Sequence, residues 1–308
     1  MNMRRFLITI AAIAVLLPAA AQTKTPREDY VDRYNLLVSR LGADGLGLET
    51  LLQRWEKDYP EDVDMLLGKF SYYLAKGRTV NIETREGSKY LGKAPSLTLK
   101  DSLDRDVNFF EVSNFDDELF GRATQAIDKA IELNQDRLDF RVYKLSALLE
   151  YEKDSPDMAL AGLKSLIDYD GRNHPTWVYP GYETDENLFP AVMQDCYFAF
   201  FQIGTPASYE AFRELSEKML AYYPSAYEYQ TNIGSYYLVC KKDYKNALKI
   251  YNKVLKQHPD DYAAIKNCVL LARSKKDPKL EKKYLPMLIR VTTDETEKAS
   301  AQARLSSL

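Results

Sequence analysis

Residues 227–259, YEYQTNIGSYYLVCKKDYKNALKIYNKVLKQHP, decide the fold. Apolar or small residues recur at Ile233, Gly234, Tyr237 and Leu238. They recur again, after Lys241-Lys242-Asp243, at Ala247, Tyr251, Val254 and Leu255. Spacings of three and four put each set on one face of a helix, so the stretch predicts two amphipathic helices joined by a tight turn. Gly234 has no Cβ and allows the second helix to approach closely. Pro259 cannot donate the continuing hydrogen bond and ends that helix.

The rest of the chain agrees with this reading. Its 308 residues are 45% hydrophobic and 28% charged, the balance of a globular protein. Thirteen Gly and thirteen Pro are few for a turn-rich β protein of this length. A formal net charge of −3 argues against a dedicated nucleic-acid binder, which carries a basic excess. From residue 22 onward no run of apolar residues is long enough for a membrane span.

At these residues the chain resembles the tetratricopeptide repeat, an aromatic followed by L-G-x2-Y, A-x3-F and P. Ile233-Gly234-x2-Tyr237 stands for its first helix, and Ala247-x3-Tyr251 with Pro259 for its second. Ala123-x3-Ile127 followed by Lys129–Gln135 is similar to a second helix. Leu145-Ser146-x2-Leu149 with Ala159-x3-Leu163 makes a further unit, and Leu67-Gly68 with Trp55–Pro60 another. After Pro259 the match weakens to Ile265, Cys268, Val269 and Ala272, then Leu280, Tyr284 and Leu288. The resemblance implies an all-α, tetratricopeptide-like α-α solenoid of about six helix pairs over residues 22–308. The pairs fall near 28–58, 62–76 with 117–133, 138–168, 187–222, 226–257 and 261–291, and a polar capping helix near 294–306 closes the array.

The first residues read as an address. Arg4 and Arg5 precede the apolar run Phe6–Leu17, and Pro18-Ala19-Ala20-Ala21-Gln22 supplies small residues for cleavage after Ala21. Twelve residues at about 1.5 Å each fall short of a ~30 Å hydrocarbon core, so 1–21 is a signal peptide rather than a span. Its removal leaves 40 basic against 45 acidic side chains, a charge of −5. The Ala-Gln site and the helical array together are similar to exported tetratricopeptide proteins of the Bacteroidetes type, which implies a periplasmic or cell-envelope location. Cys196, Cys240 and Cys268 are odd in number and far apart, and read as buried thiols; one bridge plus one free thiol is the alternative.

Two segments depart from the repeat. In the insertion 77–114 the period becomes alternating, at Val80 and Ile82, Leu97 and Leu99, and Phe109-Phe110-Glu111-Val112. Turn chemistry at Glu86-Gly87-Ser88 and Lys100-Asp101-Ser102 completes a small inserted β-meander near residues 78–113. It is either a tolerated surface insertion or a docking edge. The second segment is an aromatic loop over 168–190 that carries Trp177, Tyr179, Tyr182 and Phe189 among prolines. It serves as a contact platform for peptide or sugar rings, or as a plug where helix pairs splay.

No G-x-S-x-G, H-E-x-x-H, C-x-x-C or Walker loop occurs, so no catalytic residue, metal ligand or cofactor site is assigned. Gly42-Ala43-Asp44-Gly45-Leu46-Gly47 follows a helix and lacks a Lys-Ser/Thr end, which reads as a helix cap rather than a phosphate loop. Asp62/Asp64 and Asp116/Asp117 fall where helices begin, as N-terminal caps do. The expected function is therefore non-catalytic: a scaffold or adaptor for a protein or peptide in the envelope, with glycan binding for an outer-membrane uptake system as the alternative. The resemblance further implies that the first helix of each pair lines a concave groove. It maps ligand contacts to Phe140, Tyr143, Ala147 and Tyr151, to Glu228, Thr231, Ser235 and Leu238, and to Lys266, Leu270 and Arg273. Trp177, Tyr179 and Tyr182 are added from the aromatic loop.

Overall fold

A computed structural model describes residues 25–153 and 155–308. The expected signal peptide, 1–21, lies outside the described residues. The elements run α1 Pro26–Leu41, α2 Leu48–Asp58, α3 Val63–Gly77, β1 Arg78–Arg85, β2 Leu97–Lys100, β3 Asp106–Phe115, α4 Asp117–Leu133, α5 Leu138–Glu152 and α6 Asp157–Asn173. They continue with α7 Leu188–Ile203, α8 Pro206–Tyr222, α9 Glu228–Val239, α10 Tyr244–Gln257, α11 Tyr262–Ser274, α12 Pro278–Val291 and α13 Glu295–Ser306. The protein is mostly helical with one small sheet, and the helix limits match the sequence periods to within a few residues except at α6. That helix continues to Asn173, because Asp170 is buried and Gly171 abuts the Tyr222 ring. Among the described residues no helix is long and apolar enough to cross a membrane.

Local chemistry starts most of these helices. The Asp62, Asp116, Asp243, Asp261, Asp277 and Asp294 side chains each accept a backbone N–H from the first turn. Thr25 with Glu28 and Thr205 with Ser208 form reciprocal boxes, each followed by Pro at the first helical position. The glycine-rich stretch after α1 does cap: the Gly42 N–H donates to the Val38 carbonyl at 3.0 Å with φ at 85°.

Successive helices pack on one another except α6 and α7; beyond the aromatic loop α6 meets α8. The apolar core is divided inside α9. Tyr236 belongs to a cluster reaching back to Tyr34, Leu238 to one reaching forward to Ala301, and Tyr237 touches both. Cys196 and Cys268 are buried, Cys240 is half-buried, and all three are free thiols. Burial pushes both buried thiols up to about 12, so they act as apolar filling.

The inserted sheet is antiparallel but is not a meander. Its order is β1-β3-β2, with Arg78 to Arg85 paired against Phe115 to Asn108, and Leu97 to Lys100 against Phe109 to Asp106. The reason lies in the helices on which it grows. β1 leaves α3 without a break, β3 runs into α4, and α3 packs on α4. The two strands therefore emerge side by side, tied at their base by the Asp116 N–H donating to the Gly77 carbonyl at 2.9 Å. β2 is left the far edge of β3. One face of the sheet buries Phe110 and Val112, while Val80, Ile82, Leu97 and Leu99 on the other are about half exposed.

The α8–α9 joint carries a charge clamp. Glu210 accepts from Lys241 Nζ at 2.8 Å, from the Tyr236 hydroxyl and from Arg213 Nε at 3.1 Å. Lys241 foremost, then Tyr236, holds this carboxyl down at about 2, against 4.5 for a free glutamate. A carboxyl depressed in the folded state stabilises above its unfolded value, and that contribution fades as pH falls. Wild type should thus lose more stability than Glu210→Gln between about pH 5 and about pH 2, read as the difference in their urea midpoints. Parallel curves over that window would show that the clamp contributes nothing.

Candidate ligand groove

The residues expected to line one concave groove lie in several different environments. In α5, Phe140 is fully buried and Ala147 is 6% exposed, while Tyr143 is half-buried. The aromatic loop occupies that face. The Leu138 N–H donates to the Val178 carbonyl at 3.0 Å, the Val178 N–H donates to the Asp136 carbonyl at 2.9 Å, and the Arg137 guanidinium lies 4.1 Å from the Phe140 ring centre. Phe140 is thus a core residue and not a ligand contact. Its exposure could not be read from the helical period, because the element that covers it is distant in sequence.

Trp177 is likewise core, at 4% exposure. It stacks on Phe189 at 5.8 Å and donates Nε1 to the buried Asp170 at 2.7 Å, and the Tyr223 hydroxyl donates to the same carboxylate. Tyr179 is half-buried, and burial pushes its hydroxyl well up. Tyr182 meets it edge-on at 4.9 Å and is the ring left exposed. The loop is therefore chiefly a plug, and for Trp177 the platform reading is corrected.

In α9, Thr231 and Leu238 are buried, and Glu228 is exposed. Ser235 is an internal joint that donates to the Thr231 carbonyl at 3.0 Å and accepts from Asn267 Nδ2 at 3.0 Å and the Tyr251 hydroxyl at 3.3 Å. In α11, Leu270 is exposed and Lys266 reaches Glu297 of α13 at 2.9 Å. Arg273 lines a separate cleft with Lys276 and Arg304 around the buried Glu281, which Arg304 holds with two hydrogen bonds of 2.8 Å. Thr231 and Leu238 are thus corrected from groove to core.

Tyr151 does line an open groove, on the side of α5 that faces α4 and α6. This groove, of about 780 Å³, has α5 as its floor and α4 and α6 as its walls. Leu145 and Leu148 are in the floor with Arg141, Lys144 and Tyr151; Phe120, Gly121, Thr124 and Asp128 come from α4; Met158, Gly162, Leu166 and Tyr169 come from α6. Tyr151 stacks on Phe120 at 4.0 Å and donates its hydroxyl to Asp117 at 2.9 Å. Lys144 pairs with Asp128 at 2.6 Å.

Gly121 and Gly162 are the least expected lining residues. Both sit inside helices, where Gly costs about 1 kcal/mol relative to Ala. Neither has a positive φ, and a Cβ built on either would meet nothing within 4 Å. Close helix packing does not require them, in contrast to Gly234, whose Cβ would lie 2.5 Å from the Tyr251 ring. They leave the groove walls bare. A sequence reading had one signal for them, two glycines within otherwise regular helical periods.

Among the described residues no group of three or more His, Cys, Asp and Glu is placed to hold a metal ion. No protein-family model matches the chain, and no curated protein matches it. Fold and site thus define a mostly helical protein with a three-stranded insert and an apolar, partly charged groove.

Proposed function

We propose that this chain is an exported tetratricopeptide-like α-solenoid of the cell envelope that captures a segment of another polypeptide and carries out no chemistry. One observation carries the reading: an open groove whose floor is apolar and whose helical walls are stripped of side chains at Gly121 and Gly162. Recognition grooves combine an apolar lining with a few placed polar groups, and a helix or extended segment fits between two helices. The order of helices in adjacent pairs supports the repeat reading, as does Gly234 under Tyr251. For the glycan alternative the aromatic loop offers little stacking surface, since of Trp177, Tyr179 and Tyr182 only Tyr182 is exposed.

The test places a photo-crosslinking amino acid at Met158 on the groove wall and, as control, at Lys279 on α12. Irradiation in an envelope fraction should give a discrete adduct at position 158 that the control lacks, and Gly162→Leu should abolish it. Identical adducts at both positions, or none at 158, would overturn the proposal.

A further inference from the structure

The polar groups of this groove are unevenly satisfied. Its acids are engaged, Asp128 by Lys144 and Asp117 by Tyr151. Arg141 has no carboxylate partner among the described residues. It donates Nη2 to the Gln135 carbonyl at 3.0 Å and lies 5.5 Å from the Tyr169 ring centre and 5.3 Å from that of Trp177. Its Nε is buried without an acceptor. Arg27, Arg137 and Arg213, which like Arg141 are partly buried, are each held by at least one carboxylate. A guanidinium stays charged in a protein, and a buried donor left unmade destabilises the fold. Burial lowers its pKa, in keeping with a cation that lacks compensation.

We infer that the segment bound in the groove carries a carboxylate, which pairs with Arg141 while an adjacent apolar side chain lies over Leu145 and Leu148 between the bare walls. The inference rests on the groove reading and adds the charge of the ligand. The planar fork of arginine suits a carboxylate, whether an Asp or Glu side chain or a free chain end. The Tyr169 and Trp177 rings pre-orient the fork, so little side-chain freedom remains to be lost on binding.

Three arrays of seven-residue peptides, with Leu and Ala around a central variable position, test this against the full chain. The first holds Glu with both ends blocked, the second Gln with both ends blocked, and the third Gln with a free C-terminal carboxylate. Affinities are read by fluorescence anisotropy. Wild type should bind the first or third array at least tenfold tighter than the second, and the preferred array identifies the source of the carboxylate. Arg141→Met should erase the preference, Arg141→Lys should keep part of it, and Gly162→Leu should weaken all three arrays. Circular dichroism melts verify that each variant is folded, and Arg141→Lys carries the test alone if the Met variant is not. Equal binding of all arrays, still lost in Gly162→Leu, would overturn the carboxylate and leave the groove standing. No binding of any array, or binding indifferent to Gly162→Leu, would overturn both.

Discussion

Trp177→Ala should lower the stability of the folded chain by about 3–5 kcal/mol, the range for truncating a large buried aromatic. The indole is 4% exposed, stacks on Phe189 and lies beside Tyr169. Its Nε1 satisfies Asp170, which is itself 3% exposed and receives the Tyr223 hydroxyl. The substitution thus opens a cavity, removes one of the two donors to a buried carboxylate and withdraws a ring from the Arg141 guanidinium. Urea unfolding gives the measurement. A loss below about 1 kcal/mol would mean that the loop does not tie α6, α7 and the end of α8 together, and would restore Trp177 as a candidate contact. Asp170 supplies a directional check. Burial raises its carboxyl, and a raised acid favours the fold most below its unfolded value, losing that contribution as pH rises through the folded value. Asp170→Asn should therefore reduce the gain in stability seen on going from neutral pH toward pH 4, relative to wild type.

The second large effect contrasts two kinds of helical glycine. Gly234→Leu should destabilise by about 3 kcal/mol or more, because the new side chain must displace a ring that is fully buried. Tyr251 has no room to yield: its hydroxyl is held by Ser235, and it packs among Ala247, Val254 and Ile265 in one core. Gly121→Ala and Gly162→Ala, by contrast, should each stabilise by about 0.5–1 kcal/mol, since the added methyl meets open space and the helix gains propensity. Thermal melts of the three variants decide the matter. If Gly162→Ala is destabilising, the groove wall is not free and the binding surface has been misplaced.

Much of the fold was legible because helical periodicity is a local property. The Asp and Thr caps, the Gly42 turn and the core tyrosines Tyr251 and Tyr284 all follow from residues within a turn or two of one another. The sheet was legible as strands but not as an order. Its pairing is set by α3 and α4, which deliver β1 and β3 side by side, and alternation within a strand carries no information about which strand lies between the others.

The candidate site was legible only at Tyr151. Within α5 the helical period correctly separates one face, Phe140, Tyr143 and Ala147, from another, Arg141, Lys144, Leu145 and Leu148. It does not say which face a distant segment covers. Residues 174–187 come back to the start of α5 through Val178, where Phe140 is buried and Trp177 lies by Arg141, while Arg141, Lys144, Leu145 and Leu148 line the groove between α4 and α6. The amino-acid order by itself determined the helices, their limits and the residues able to fill a core, because these depend on neighbours three and four positions away. Only the tertiary structure decided which amphipathic face remained without a partner, and with it the isolated charge of Arg141, because burial depends on residues that the chain brings back from more than thirty positions away.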